Sequence, residues 1–220
     1  MTKDDLISYI RLHIDDMDNA PYLVSDNLMQ ILIADAEKEA AERALYLKLL
    51  GTCDLAVVFG TNVYQVASEI IFIDRAKLKG QPQPLIKTTQ KEIDFNYRNW
   101  ESVIGLPTYY WLENDYLTLY PSPDKSYSLS LEGFRRPITD METPPHLRRS
   151  LAYWVAYLVY MMPDLDKYNP GKAKESEDLF TKAFGPKRSA KFDELWRNGV
   201  EFSPLYKTQF QVQRESTIYF

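Results

Sequence analysis

The chain has 220 residues, of which 45% are hydrophobic and 26% charged, and a net charge of −5. This length and balance are typical of one globular domain, or of one domain with an appendage. One cysteine and two histidines exclude a disulfide within the chain and a Cys/His metal cluster. The apolar runs are short and interrupted by charges, so we expect no membrane span. The N-terminus lacks the basic start and long apolar core of a signal peptide, and the single cysteine favours synthesis in a reducing cytoplasm.

The first third of the chain is predicted to be helical. Leu6, Ile7, Ile10 and Ile14 recur at helical spacing and predict a first helix over residues 4–15. Asp16 and the residues that follow lack the spacing of a calcium loop and indicate a solvated turn. Ser25 is a suitable N-cap for a second helix that ends at Gly51. Its predicted stripe is Leu28, Ile31, Leu32, Asp35, Ala36, Ala40, Ala44, Leu45 and Leu49, with Asp35 as the one break.

The middle of the chain is predicted to form short strands. Runs rich in Val, Ile and Phe predict strands at 55–59, 63–66, 68–75 and 85–89. Residues 90–99 fit a short helix or a strand equally well. Strands at 109–113 and 116–120 flank a tight turn at Asn114-Asp115. The run 127–134 alternates apolar and polar residues, as a strand with one solvated face does.

The chain is predicted to return to helix at residue 143. Thr143 is the expected N-cap of a largely apolar helix, which packs centrally and ends before Pro163. Asn169-Pro170 begins the next helix and Gly185-Pro186 ends it. A last helix is predicted over residues 187–198.

The C-terminal segment, 200–220, carries no helical stripe. Phe210, Val212 and Arg214 alternate with glutamines, and the chain ends on Ile218, Tyr219 and Phe220. Chain termini are usually polar and solvated, so an apolar end is uncommon. The segment is either a docking arm that adds to a partner by strand pairing or aromatic insertion, or it folds back onto its own helices.

Together these elements predict an α+β fold with three parts. The N- and C-terminal helices, 1–53 and 143–199, form a helical bundle. Residues 54–142 form a central small antiparallel β domain. Residues 200–220 form an extended C-terminal arm.

No catalytic, cofactor or metal site is predicted. The sequence contains neither a glycine-rich phosphate loop nor a nucleophile elbow. His13 and His146 are interpreted as surface residues, and Cys53 as a packing residue. Acidic pairs such as Glu37/Glu39 and Asp164/Asp166 are too common in acidic proteins to indicate catalysis.

The charge is distributed unevenly. Residues 1–75 carry 6 basic and 13 acidic groups, residues 76–143 carry 8 and 9, and residues 144–220 carry 12 and 9. A nucleic-acid-binding domain would have a concentrated basic face, so this distribution disfavours one. The pairs Arg135-Arg136 and Arg148-Arg149 are expected to form ion pairs with the acidic first third, within or between chains.

The stretch from Trp100 to Pro123 is the most informative part of the sequence. It gathers Tyr109, Tyr110, Trp111 and Tyr116 after a Gly-Leu-Pro turn, with no obvious acid, base or nucleophile. Such aromatic surface suits cores and protein interfaces. Because the stretch forms a hairpin, about half of its rings are expected to face a core.

A succession of motifs runs through roughly residues 60–190. In order they are Gly105-Leu106-Pro107-Thr108-Tyr109-Tyr110, Leu117-Thr118-Leu119-Tyr120-Pro121-Ser122-Pro123-Asp124, Leu129-Ser130-Leu131-Glu132-Gly133-Phe134-Arg135-Arg136-Pro137, Pro144-Pro145-His146, Asp164-Leu165-Asp166 and Phe180…Phe184-Gly185. This order resembles the head-to-tail adaptor (connector) proteins of tailed phages.

The resemblance implies a structural virion protein at the head–tail interface, without enzymatic activity or cofactor. Such proteins form a ring, usually of twelve copies, between the portal protein and the tail or nozzle protein. The ring extends the DNA channel, and DNA passes through it without sequence-specific binding. A C-terminal extension reaches the portal, which makes Phe210, Val212, Arg214, Ile218, Tyr219 and Phe220 the candidate portal-docking residues.

Two other functions remain open from the residues alone. A tail-associated hydrolase would use paired carboxylates and requires a deep pocket that holds two of them with shifted pKa values. A carbohydrate-binding module would use Tyr109, Tyr110 and Trp111 and requires flat, solvent-exposed rings.

Overall fold

The computed structural model describes residues 1–17, 22–50, 53–113, 115–163 and 167–188. In these ranges the helices are α1 (Lys3–His13), α2 (Asp26–Ala44), α3 (Gln90–Asn96), α4 (Arg148–Tyr160) and α5 (Pro170–Phe184). The strands are β1 (Lys48–Leu50), β2 (Leu55–Val57), β3 (Val63–Gln65), β4 (Ile70–Leu78), β5 (Ile86–Lys87), β6 (Ile104–Gly105), β7 (Tyr109–Glu113), β8 (Tyr116–Tyr120), β9 (Ser122–Pro123) and β10 (Tyr127–Arg135). A 3₁₀ turn spans Trp100–Ser102. The α+β class is therefore confirmed, and the predicted C-terminal arm lies outside the described residues.

The bundle is organised around α4. This helix contacts α1, α2 and α5, and most of its circumference is buried, as predicted. The shared apolar core contains Leu6, Ile10, Ile14, Met29, Ile33, Ala36, Ala40, Leu151, Val155, Val159, Phe180 and Phe184. The small side chains of α2 allow close approach to its neighbours.

Local sequence signals explain where these helices begin. The Thr2 and Ser25 side chains accept hydrogen bonds from the first turns of α1 and α2. Thr89 forms a capping box at α3, which settles residues 90–96 as helix. Asn169 caps α5, with Pro170 in the first helical position, as predicted.

The predicted end of α2 at Gly51 is wrong. The helix stops at Ala44 because Leu45 adopts a left-handed conformation, and residues 48–50 pair with β10 as strand β1. The predicted stripe is also wrong in part. Ile31 is 65% exposed, whereas Met29, Ile33 and Glu37, which are not in the stripe, face inward. Asp35, the expected break in the stripe, is exposed. An alanine-rich helix carries few large side chains that mark its buried face.

The predicted N-cap of α4 is wrong as well. The helix begins at Arg148, and Leu147 precedes it without a side-chain cap. Thr143 is fully buried and uses its hydroxyl to contact Glu37. The intervening prolines form a turn in which the Leu147 N–H donates to the Pro144 carbonyl at 2.9 Å.

Sheet A is centred on β10. Strands β1 and β2 pair antiparallel along one edge of β10, and β4 pairs antiparallel along the other edge. Leu129, Leu131 and Gly133 are the buried positions of β10, as its alternation predicts. The pairing with β4 is interrupted by register shifts after Glu132 and after Phe134.

Sheet B has the strand order β3-β8-β7-β5. Strands β7 and β8 pair antiparallel with Glu113 opposite Tyr116, at the predicted boundaries. Strand β5 pairs with β7 in parallel, and β6 pairs with β9 in parallel. The β region is thus mixed and not purely antiparallel, because the long connection that contains α3 returns the chain to the same end of the sheet.

Two further apolar clusters hold the strands. The larger one takes Leu129 and Leu131 from sheet A and Tyr110, Leu117 and Leu119 from sheet B, so it lies between the sheets. The smaller one lies on the other side of sheet B, under α3, and consists of Ile93, Trp111 and Tyr120 with Tyr97, Trp100 and Tyr109 packed against it.

Candidate interaction surfaces

A buried glutamate joins α2 to the segment that leads into α4. The Glu37 carboxylate accepts hydrogen bonds from the Met141 N–H at 2.9 Å, the Thr143 N–H at 3.1 Å and the Thr143 hydroxyl at 2.7 Å. Tyr46 Oη lies 2.8 Å from Thr143 Oγ1, and burial raises the pKa of Tyr46 to about 12. Because a buried carboxylate is stable only with such donors, this network serves the structure.

Arg135 and Arg136 tie the end of β10 to the same region. Arg136 Nε lies 2.6 Å from Glu42 Oε1 on α2, so the predicted ion pair with the acidic first third is confirmed for Arg136. Arg136 also donates to the Ser68 carbonyl at 2.7 Å. Arg135 instead pairs with nearby Glu142 at 2.6 Å. The Arg136–Glu42 ion pair therefore joins the end of β10 to the bundle, whereas the Arg135–Glu142 pair is local to the segment after β10.

Arg148 and Arg149 do not follow that prediction in the described part of the chain. Arg148 donates to the carbonyls of Thr143 at 2.8 Å, Met141 at 3.0 Å and Met1 at 2.8 Å. The Arg149 guanidinium lies 4.6 Å from the centre of the Tyr9 ring. Both arginines thus fix α4 against α1 and the N-terminus through carbonyls and a ring.

Glu142 makes this region sensitive to acid. Burial raises the pKa of Glu142, but hydrogen bonds from Arg135, Thr139 and Ile138 outweigh it and lower the pKa to about 2. A carboxylate whose pKa is lowered by folding stabilises the protein above its ordinary pKa of 4.5, and this contribution disappears as the pH falls through about 2. We expect Glu142→Gln to lower Tm by a few degrees at pH 7 and to have little effect near pH 2.

Thermal unfolding of both proteins between pH 7 and pH 2, followed by circular dichroism, measures this difference. Glu101→Gln, at an exposed glutamate, is the matched control and should change Tm little at any pH. A Glu142→Gln effect that stays constant down to pH 2 would contradict this assignment.

The aromatic stretch mainly builds cores. Tyr110 is 1% exposed, Trp111 5% and Tyr120 6%, whereas Tyr116 is 50% exposed. This agrees with the expectation that about half of its rings face a core. The Tyr110 hydroxyl has no hydrogen-bond partner among the described residues, and burial raises its pKa. Rings buried in this way do not form the flat, exposed platform that a carbohydrate-binding module requires.

One prominent exposed ring stands beside this cluster. Phe95 on α3 is 89% exposed. Next to it, Trp100 Nε1 donates to Asp94 Oδ1 at 2.6 Å. Asp94 and Trp100 belong to the lining of a shallow depression of about 280 Å³, together with Tyr97, Arg98, Asn99 and Glu101. Its open form suits a contact surface.

A second exposed apolar surface borders strand β3, and we call it the β3 margin. It consists of Val58, Phe59, Val63 and Tyr116, which are 53%, 59%, 46% and 50% exposed. The Tyr64 hydroxyl fixes the loop before β3, since it accepts from the Val58 N–H at 3.1 Å and donates to the Thr61 carbonyl. Exposed apolar side chains on a structured segment offer area for contacts between proteins.

The carboxylates singled out in the sequence have structural partners. Glu37 binds the Thr143 segment, and Glu39 accepts from Arg43 Nε at 2.7 Å. Asp164 and Asp166 lie outside the described residues. Where a shift is resolved for a carboxylate, its pKa is lowered by hydrogen-bond donors, as in Asp5, Asp54, Glu92 and Glu142. A general acid requires the opposite shift.

The remaining candidate groups also pack into the fold. His13 is half-buried between the rings of Tyr9 and Tyr153, and burial lowers its pKa. Cys53 packs beside the larger strand cluster, as predicted. Across the described ranges, no three His, Cys, Asp or Glu side chains gather as metal ligands would. None of the described helices is long and apolar enough to cross a membrane.

The predicted docking residues are not placed by the structure. Phe210, Val212, Arg214, Ile218, Tyr219 and Phe220 all lie outside the described residues. Sequence reasoning missed Phe95 and the β3 margin. A signal for Phe95 existed, because Ile93, Tyr97 and Trp100 share one side of a helix and leave Phe95 on the other. The β3 margin has no such local sequence signal. Its exposure depends on β3 being the edge strand of sheet B, and the strand order cannot be predicted from the local sequence.

Ion pairs and hydrogen bonds hold this α+β body together, and it carries exposed apolar surfaces. The ionisable groups considered above make internal contacts. Both features are typical of a structural protein. A family model described as SU10 adaptor protein matches residues 1–201, and the chain belongs to this family. The chain is therefore a structural phage adaptor and a component of the virion, as the resemblance implied. Membership in a family of structural adaptors implies a protein that is not an enzyme. No curated protein matches the chain.

Proposed function

We propose that this adaptor forms a ring between the portal protein and the tail or nozzle protein, where it extends the DNA channel. The observation that carries the proposal is the family match, which spans the whole described body. A ring of twelve copies follows the pattern of head-to-tail adaptors. The helical parts 1–53 and 143–199, the β part 54–142 and the arm 200–220 are then separate contact regions.

The internal contacts suit a part that bears load. The ion pair from Arg136 to Glu42 joins the end of β10 to α2, and the buried Glu37 carboxylate joins α2 to the segment that leads into α4. Such a joint keeps the two parts in one orientation when partners pull on either of them. The exposed Phe95 and the β3 margin supply apolar contact area on the β part.

The charge suits a channel that DNA must leave freely. Each chain carries a net charge of −5, which a ring multiplies by its number of copies. Proteins hold DNA mainly through basic contacts to phosphate, which release counterions. A net acidic ring repels the phosphates, so DNA slides through it without sequence-specific binding.

The arm is the part that we assign to the portal protein. Its apolar and aromatic residues, Phe210, Val212, Ile218, Tyr219 and Phe220, and the basic Arg214 provide strand pairing and aromatic insertion. We expect the full chain to co-purify with the portal protein, and removal of residues 200–220 to reduce the bound fraction at least tenfold.

The matched control keeps the length of the arm and changes two of its polar residues, Gln209→Ser and Gln213→Ser. This variant should bind the portal protein like the parent chain. Equal binding after truncation would reject the docking role of the arm. Absence of any binding by the full chain would reject the adaptor function itself.

A further inference from the structure

Strand β3 presents an open edge of sheet B. The Leu119 N–H donates to the Asn62 carbonyl at 2.8 Å, and the Val66 N–H donates to the Asp115 carbonyl at 2.9 Å. Backbone groups alternate in direction along an antiparallel strand. The N–H and C=O groups of Val63 and Gln65 therefore point away from β8. Among the described residues, β3 is the last strand on this side of the sheet.

This edge has one of the usual protections against pairing, its short length of three residues, and lacks the others. Natural edge strands are shielded by being very short, or by lysine, proline, inward charges or bulges. Strand β3 reads Val63-Tyr64-Gln65, without charge or proline, and pairs with β8 without a register shift. The β3 margin adds exposed apolar side chains beside it. An uncharged open edge beside an apolar surface is a site for an added strand.

The chain contains a segment with the matching pattern. Residues 208–213 carry no charge, and Phe210 and Val212 alternate with glutamines up to Arg214. One side of such a strand is apolar and can cover the β3 margin, while the other side stays solvated.

The same segment is far enough along the chain from the described body to reach a second copy. Phe210 lies 22 residues beyond Arg188, the last described residue. With the predicted helix over residues 187–198 contributing about 15 Å, and the next 12 residues extended over about 40 Å, the reach is roughly 55 Å. A compact domain of this size has a radius of gyration of only about 16 Å. The segment also follows the family match, which ends at residue 201.

We propose that the Phe210–Arg214 segment of one copy pairs with the β3 edge of a second copy. This inference rests on the proposed ring. A contact between two different surfaces passes from copy to copy and closes a ring. Because β3 has only three residues, each pairing is weak, and repetition around the ring makes the sum effective. This pairing narrows the portal-docking part of the arm to Ile218, Tyr219 and Phe220, because Phe210, Val212 and Arg214 then bind the neighbouring copy.

Amide hydrogen exchange of the full-length chain, resolved by residue, tests this pairing. At high protein concentration we expect the Val63 and Gln65 amides to be protected, and the protection to fall on dilution. Val212→Pro removes a donor from the added strand and should speed their exchange at least tenfold. Thr217→Pro, in the same arm outside the paired segment, is the matched control and should leave it unchanged.

Three results would overturn the proposal. The first is that the Val63 and Gln65 amides of the parent chain are unprotected at high concentration. The second is that these amides exchange equally fast in Val212→Pro and in the parent chain. The third is that their protection survives dilution, which would identify the chain's own arm as the occupant. Portal binding and ring formation are measured separately. Their loss in the parent chain rejects the proposed function, whereas unchanged edge exchange with intact rings rejects only this inference.

Discussion

Replacement of Gly133 by alanine is expected to destabilise the protein by about 2–4 kcal/mol. Gly133 lies in β10 at a register shift, opposite Ile73 of β4. A Cβ at this position would overlap the Phe72 carbonyl oxygen and lie 3.1 Å from Ile73 Cα. These are backbone atoms of a paired strand and cannot move aside as a flexible side chain can. For a protein of this size, Tm should fall by roughly 5–15 °C.

Gly105→Ala is the matched control, because it adds the same methyl group in the same part of the molecule. Its Cβ would lie 3.6 Å from the Pro121 side chain, which is an ordinary contact. Chemical denaturation of both variants gives the two free energies of unfolding. Equal values for Gly133→Ala and Gly105→Ala would show that β10 and β4 do not approach as closely as described.

Replacement of Asp16 by alanine is expected to cost about 3–5 kcal/mol. The predicted solvated turn is wrong at this position, since Asp16 is 5% exposed. Its carboxylate binds Arg11 Nη1 at 2.7 Å and accepts from the N–H groups of Leu23 at 3.0 Å and Val24 at 3.3 Å. The substitution leaves the buried Arg11 guanidinium without its main partner and leaves two backbone donors unpaired.

Asp26→Ala is the matched control, because it removes the exposed carboxylate partner of Arg11 and leaves the buried one in place. Asp26 also binds Arg11, at 2.6 Å, but its side chain is 69% exposed. Loss of such an exposed partner should cost no more than about 1 kcal/mol. Denaturant titration of both variants compares the two partners. Similar costs would contradict the assignment of Asp16 as the buried anchor of the segment between α1 and α2.

The elements that follow from the sequence are those with a strong local signal. Ser25 and the Asn169-Pro170 pair mark helix starts because their side chains or ring fit the first turn without help from distant residues. The β7–β8 hairpin appears at its predicted boundaries because its strands are adjacent in the chain. The same holds for the buried alternation of β10.

Elements that depend on distant partners were not predictable. Thr143 has the sequence context of an N-cap, but its hydroxyl and N–H donate to the Glu37 carboxylate, 106 positions away. Residues 48–50 continue an apolar helical pattern, yet β10 supplies a better set of backbone partners. Parallel pairing of β5 with β7 likewise depends on the path of the chain through α3.

The candidate surfaces also divide into features with a local sequence signal and features that depend on distant residues. The family and its structural role could be recognised from motif order, because the motifs lie along the chain. The β3 margin joins Val58 and Phe59 to Tyr116 only through the sheet, and no local pattern links them.

Electron microscopy of the adaptor bound to its portal protein tests the central claim most directly. We expect a closed ring of this α+β body, coaxial with the portal and placed on its tail side, with an open channel for DNA. Isolated copies scattered on the portal surface, or an adaptor density that blocks the channel, would contradict it.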